Sequence, residues 1–122
     1  QSPKHNGMPE LHKLTSPINV LQDRGLNIAL VTDGRMSGAS GSFPALIHAI
    51  SENLNLYKIQ DGDQLTLDLE SQTLEVNDLS NLSSRTPHEI KISNEGLGRE
   101  LFSVFRDNIS NAEEGATIFK YS

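Results

Sequence analysis

The sequence predicts a mixed α+β domain, and three observations carry that prediction. The apolar run Ile28-Ala29-Leu30-Val31 lies between Gly25 and Asp33-Gly34 and reads as a short buried strand. Leu65, Leu67 and Leu69 alternate, as do Leu74 and Val76 beyond Ser71-Gln72, which is the pattern of a β-hairpin. Leu97, Leu101, Val104 and Phe105 recur at i, i+4, i+7 and i+8, one apolar face of a helix. The 122 residues suit a single domain over 1–122. A chain of this size buries roughly two-thirds of its unfolded surface, so it can hold a core without disulfide or metal staples.

In chain order, residues 1–7 are polar, carry Pro3 and Gly7, and show no periodic pattern. Nor does the segment open on Met, and it is expected to continue from a longer chain. Pro9 suits a first helical position and Glu10 the positive end of a helix dipole, so residues 8–14 predict a short helix stopped by Pro17. Ser16 reads as an N-cap for a second helix over 17–24, ended by Gly25. A strand over 27–32 follows, then the loop 33–42, then residues 43–50, which fit either a strand or a short helix. Residues 56–59 predict a strand end and Asp61-Gly62-Asp63 a turn before the hairpin 64–70 and 73–77. Residues 78–87 read as polar turns and 89–92 as a short strand. The helix of Leu97 to Ile109, a turn over 111–115 and a final strand over 116–119 complete the pattern.

Composition excludes several functions. There is no cysteine, hence no thiol nucleophile, zinc ribbon, disulfide framework or thiolate ligand for an iron–sulfur cluster. The formal net charge is −6 and aromatic residues make up 5%. Nucleic acid is therefore not an expected partner, since its binding rests on Lys and Arg at phosphates and on aromatic stacking. Mean hydropathy is −0.40, and no run approaches the ~20 apolar residues of a membrane-spanning helix. The absence of cysteine fits a reducing, cytoplasmic setting.

The loop Asp33-Gly34-Arg35-Met36-Ser37-Gly38-Ala39-Ser40-Gly41-Ser42 is the most informative segment. Gly34, Gly38 and Gly41 permit backbone conformations closed to other residues and let a ligand approach the main chain. Ser37 and Ser40 add hydroxyls, and Arg35 adds a planar cation suited to carboxylate or phosphate. The segment lacks the Gly-Lys-Ser/Thr ending of a P-loop and the glycine spacing of a dinucleotide fingerprint. It reads either as an active-site loop or as a connection. Ser37 reads as a turn hydroxyl unless something activates it, and Glu10 either as a helix-start carboxylate or as a hard-cation ligand. His5, His12, His48 and His88 form no His-x-x-x-His pair, and His48 reads as a core histidine. Asp61, Asp63 and Asp68 lack calcium-loop spacing and read as turn and surface residues.

Three blocks carry a resemblance: Gly7-Met8-Pro9-Glu10-Leu11, Leu21-Gln22-Asp23-Arg24-Gly25, and Ala29-Leu30-Val31-Thr32-Asp33-Gly34-Arg35-Met36-Ser37-Gly38-Ala39-Ser40-Gly41. In order and spacing they resemble the C-terminal domain of the dihydroxy-acid/6-phosphogluconate dehydratase family. Met36, Ala39-Ser40, Gly98-Arg99-Glu100-Leu101-Phe102 and Ala112-Glu113-Glu114-Gly115-Ala116 resemble the 6-phosphogluconate branch. The likeness covers nearly the whole chain and is weaker between Ser51 and Asn94.

The resemblance implies a swivelling β/β/α domain with a barrel-like sheet and peripheral helices, the C-terminal part of a longer dehydratase. The implied reaction converts 6-phosphogluconate to 2-keto-3-deoxy-6-phosphogluconate and water, in the Entner–Doudoroff pathway. Ser37 falls on the family serine that takes the C2 proton, and Glu10 on a carboxylate that contacts Mg²⁺ in dihydroxy-acid members. Gly34, Arg35, Gly38 and Ser40 would lie along the substrate. An N-terminal domain would hold the iron–sulfur cluster through its own cysteines, the whole protein would be a homodimer, and the 122-residue chain alone would be inactive. The alternatives are a stand-alone, non-catalytic module that binds an anion or partner, and a domain of another sugar-acid dehydratase.

Overall fold

The computed structural model describes residues 2–37, 42–49 and 55–119. In chain order its elements are α1 (Pro3–Asn6), a 3₁₀ turn (His12–Leu14), α2 (Thr15–Asp23), β1 (Leu30–Val31), β2 (Ala45–Leu46), a 3₁₀ turn (Asn55–Lys58), β3 (Leu65–Asp68), β4 (Thr73–Val76), α3 (Leu79–Ser84), α4 (Ser103–Asn108) and a last 3₁₀ turn (Ala112–Glu114). They belong to two compact units, Gln1–Ile50 with Lys91–Ser122, and Ser51–Ile90. The class is mixed α+β. Among the described residues each sheet has two strands and neither closes, so the pairings form ribbons rather than a barrel.

In the first unit, β1 pairs in parallel with β2, Leu30 opposite Ala45 and Val31 opposite Leu46. The pairing runs past both strands, because Leu30 N–H donates to Pro44 O (2.9 Å), Thr32 N–H to Leu46 O (3.0 Å) and His48 N–H to Gly34 O (2.9 Å). Residues 43–50 thus hold a strand, one of the two forms the sequence allows. α2 matches the expected second helix and stops where Gly25 takes φ 90°. Its start differs from expectation, since Leu14 rather than Ser16 stands at the N-cap and no side chain caps it. The helix expected over 8–14 is reduced to the 3₁₀ turn His12–Leu14, and the one-turn helix α1 lies before the expected range. Met8 at φ 49° and a parallel bridge between Glu10 and Arg35 hold this stretch out of helical geometry. Met8 and Phe43 are the buried large apolar side chains of this unit among the described residues.

The second unit is built on the hairpin. Leu65 stands opposite Val76 and Leu67 opposite Leu74, so the alternating leucines share one face with their cross-strand partners. β3 ends at Asp68 rather than Glu70, because Asp68 Oδ1 accepts the amides of Glu70 (2.8 Å) and Ser71 (3.1 Å) and turns the chain. The segment read as polar turns contains α3, capped by Asp78, whose Oδ1 accepts the Asn81 amide at 3.0 Å. Leu82 on α3 is 2% exposed and anchors the unit. Where the sequence predicts a strand end over 56–59, the chain forms the 3₁₀ turn Asn55–Lys58.

The C-terminal pattern departs furthest from expectation. Gly96, Leu97 and Gly98 all have positive φ, at 77°, 57° and 78°, so the right-handed helix cannot begin at Leu97 and only α4 forms. No strand forms over 89–92 or 116–119 among the described residues. Ala116 at φ 47° and the hydrogen bond its N–H donates to Asn111 O (3.0 Å) turn the chain out of extended geometry. The expected turn over 111–115 is present, with a capping box between Asn111 and Glu114 and Gly115 left-handed. Among the described residues no helix is long and apolar enough to cross a membrane.

Candidate functional site

β1 delivers the chain into the glycine loop, and the segment before α2 folds back against it. The two meet at Glu10. Its Oε1 accepts the Ser37 amide at 2.7 Å and its Oε2 accepts the His12 amide at 2.8 Å. Leu11 N–H donates to Arg35 O at 3.0 Å, which completes the short parallel pairing. One carboxylate thus ties together two segments 27 residues apart in sequence. The Ser37 amide above all, with the His12 amide and the nearby charges of His12 and Arg35 adding to it, holds the Glu10 carboxyl below its ordinary value against partial desolvation. Glu10 is therefore an anion across neutral pH.

Arg35 fastens the same junction, its Nε donating to Met8 O at 2.8 Å. Gly34 is buried, and its amide donates to Thr32 Oγ1 at 3.0 Å. Asp33 holds the loop's base to the start of α1, its Oδ2 accepting the Ser2 amide at 3.0 Å. Ser2 Oγ lies 2.6 Å from His5 Nδ1. Beyond the loop, Ser42 Oγ donates to Asn19 Oδ1 on α2 at 2.6 Å.

Of the residues singled out in the sequence, the structure brings Glu10, Gly34, Arg35 and Ser37 together. Ser37 is exposed, and Glu10 is half-buried. Gly38 and Ser40 lie outside the described residues. His48 is not a core histidine: it is exposed at φ 55°, just past β2. In the sequence Asp33 stands only as the first residue of the loop, although its place between a strand end and a glycine suits a side chain that anchors a loop. No local pattern announces the pair in the second unit. There Asp63 and Arg85 form a two-pronged ion pair, at 2.5 and 2.9 Å, and Arg85 Nη1 also donates to Lys58 O at 3.2 Å. The Arg85 guanidinium and the Gln60 amide hold the Asp63 carboxyl at about 2.

Among the described residues no three His, Cys, Asp or Glu side chains cluster as a metal cage. Glu10 could still contribute one ligand. It is anionic, and each of its oxygens spends one lone pair on an amide and keeps another. Mg²⁺ commonly takes only one or two carboxylates, with waters and substrate oxygens completing the shell. An iron–sulfur cluster does not fit this chain, which has no cysteine to ligate one.

Comparison with known proteins defines the class. Residues 1–116 match the family described as dihydroxy-acid/6-phosphogluconate dehydratase, C-terminal. The chain belongs to that family, as a dehydratase C-terminal domain. It is 48% identical over 129 aligned positions to the phosphogluconate dehydratase of Escherichia coli, which covers 99% of this chain and 21% of the relative. The phosphogluconate dehydratase of Helicobacter pylori is 46% identical over 129 positions, covering 98% and 21%. That of Zymomonas mobilis is 47% identical over 120 positions, covering 95% and 20%. The chain thus spans about a fifth of the length of these relatives.

Proposed function

We propose that this chain is the C-terminal domain of a 6-phosphogluconate dehydratase. The whole protein would remove water from 6-phosphogluconate to give 2-keto-3-deoxy-6-phosphogluconate, the dehydration step of the Entner–Doudoroff pathway. The observation that carries this reading is the Glu10–Ser37 junction, in which two sequence blocks of the family meet at one carboxylate. The names of the relatives support the substrate. The finer fold in this reading is a swivelling β/β/α domain whose sheet completes a barrel in the whole protein. The working enzyme would be a cytoplasmic homodimer.

In the proposed mechanism Ser37 Oγ takes the proton from C2 of the sugar acid. The C2 proton is weakly acidic because the adjacent carboxylate is already negative, so the charge that develops must be stabilised as it forms. A divalent cation, when bound beside Glu10, supplies positive charge that favours both an ionised Ser37 and an enolate-like oxygen. Glu10 performs two tasks: its carboxylate offers a ligand oxygen, and its grip on the Ser37 amide fixes the backbone from which Oγ reaches the substrate. Arg35, tied to Met8 O, holds the loop's other edge. On this reading Gly34 and Gly38 would let the main chain approach the substrate, and Ser40 would contact it. Loss of the C3 hydroxyl as water completes the elimination, and the enol left between C2 and C3 tautomerises to the 2-keto acid. The cluster that the family uses would be held by the cysteines of an N-terminal domain and would supply a Lewis acid for the departing hydroxyl, so the 122-residue chain alone is expected to be inactive.

The test uses the full-length protein. Ser37→Ala should lower turnover of 6-phosphogluconate at least about 100-fold, the usual worth of a positioned proton acceptor, with an unchanged circular dichroism spectrum. Glu10→Gln should raise the divalent cation concentration needed for half-maximal activity. Full activity in Ser37→Ala would remove Ser37 from the mechanism. Turnover of only unphosphorylated aldonates would assign the protein to another sugar-acid dehydratase.

A further inference from the structure

A second cationic site lies in the same unit, away from the residues of the glycine loop. α1 packs against α4, and a half-open cavity of about 300 Å³ lies at their junction. Its walls include Pro3 and His5 from α1, Phe102 and Phe105 before and on α4, and the guanidinium-bearing residues Arg99 and Arg106. Among the described residues no Asp or Glu lines it. This is unusual in a chain whose formal net charge is −6.

Neither arginine is neutralised. Arg106 Nη2 donates to the neutral Asn94 Oδ1 (2.9 Å) and to the backbone oxygen of Arg99 (2.9 Å). The Arg99 guanidinium has no hydrogen bond or ion pair to any described residue, although the residue is half-buried. Asp63, in contrast, takes up the Arg85 charge in full. A half-buried cation without a counter-ion is costly to keep, because its solvation is reduced without any electrostatic return. An anion entering the cavity would supply that return. The planar forks of two arginines suit the several oxygens of a phosphoryl group. The Phe102 and Phe105 rings, 6.0 Å apart, form the apolar side of the cleft.

We infer that the cavity between α1 and α4 is a phosphoryl-binding site, with Arg99 and Arg106 as its cationic clamp. Resting on the proposed function, the occupant is the phosphate end of the substrate, and the carboxylate end lies toward Glu10 and Ser37. A physical link joins the two sites. His5, in the cavity wall, contacts Ser2, and Ser2 is bonded to Asp33 at the base of the loop.

The experiment titrates inorganic phosphate into the full-length protein by calorimetry, beside Arg99→Ala and Arg99→Lys. Arg99→Ala removes no hydrogen bond seen among the described residues, so the fold should persist. It should weaken phosphate binding at least about tenfold, as expected for losing a charge-assisted contact. Arg99→Lys, which keeps the charge and loses the fork, should weaken it less. Phosphate that does not bind, or that binds Arg99→Ala as tightly as the parent, would overturn the site. This arm needs no turnover, so it stands apart from the proposed reaction. A second arm compares KM for 6-phosphogluconate and for gluconate. A rise of about tenfold for the phosphorylated acid alone in Arg99→Ala identifies the occupant as the substrate's phosphate. Lost phosphate binding with both KM values unchanged would overturn that assignment and give the cavity to a separate phosphorylated ligand.

Discussion

Glu10 and Asp63 show how differently two carboxylates can be employed in one chain. Glu10 is occupied by backbone amides, which leave its charge unpaired and useful to a cation. Asp63 is occupied by Arg85, which consumes its charge for structure. Its consequence is a pH dependence with a defined sign. The folded Asp63 carboxyl sits at about 2, below its ordinary 3.8, so the unfolded chain binds the proton more readily. The ion pair therefore contributes its full stabilisation above about pH 4, and that contribution is lost as the pH falls from there towards 2. An acid titration followed by circular dichroism should show this loss, and Asp63→Asn should remove it while lowering stability at pH 7. An Asp63→Asn protein with the parent's acid profile would rule out the pair as its source. The sequence marked Asp63 only as a turn residue, because its partner lies 22 positions away and no local pattern reports such a distance.

At the level of elements, the legible parts were those whose stability is local. The hairpin alternates over enough residues to fix its faces, and Gly25 and Gly115 mark chain reversals wherever they stand. α3 was missed because its signals are a cap and a single anchor rather than a stripe. Six-residue helices are too short to persist unaided, so α3 depends on Leu82. Replacing Leu82 with Ala should cost about 2–5 kcal/mol in chemical denaturation. Leu79→Ala on the same helix, at a position 62% exposed, should stay within about 0.5 kcal/mol, before any change in helix propensity. Equal losses at both positions would show that α3 is held in some other way. The opposite error occurred at residues 97–102, where an apolar period was present and a helix was not. A period reports which residues could share a face, but three successive positive φ angles override it. The Glu10–Ser37 junction lay beyond sequence spacing too; only the family likeness placed those residues in one site.

Across the whole molecule, the described apolar residues near the C-terminal end are left largely uncovered. Leu97 is fully exposed, and Leu101, Val104 and Phe119 are 72%, 65% and 68% exposed. Exposed apolar clusters of this kind mark surfaces that meet other protein, and the relatives have about four-fifths of their length outside the aligned part. On the proposed function, the remainder of the enzyme covers them. The purified 122-residue chain should therefore enhance the fluorescence of the dye ANS and self-associate at micromolar concentration. The full-length protein should do neither. A monomeric chain that leaves the dye dark would show that these side chains need no cover.

The Ser2–Asp33 hydrogen bond bears on how the protein can be cut and rejoined. The six residues from Ser2 to Gly7 look dispensable by composition, and a designer of shortened or tagged versions would remove them first. Yet this stretch holds the floor of the glycine loop at one end and forms a wall of the arginine-lined cavity at the other. A protease nick or an inserted linker there would loosen both ends of the proposed substrate's cradle together, while every residue of the proposed chemistry stayed in place.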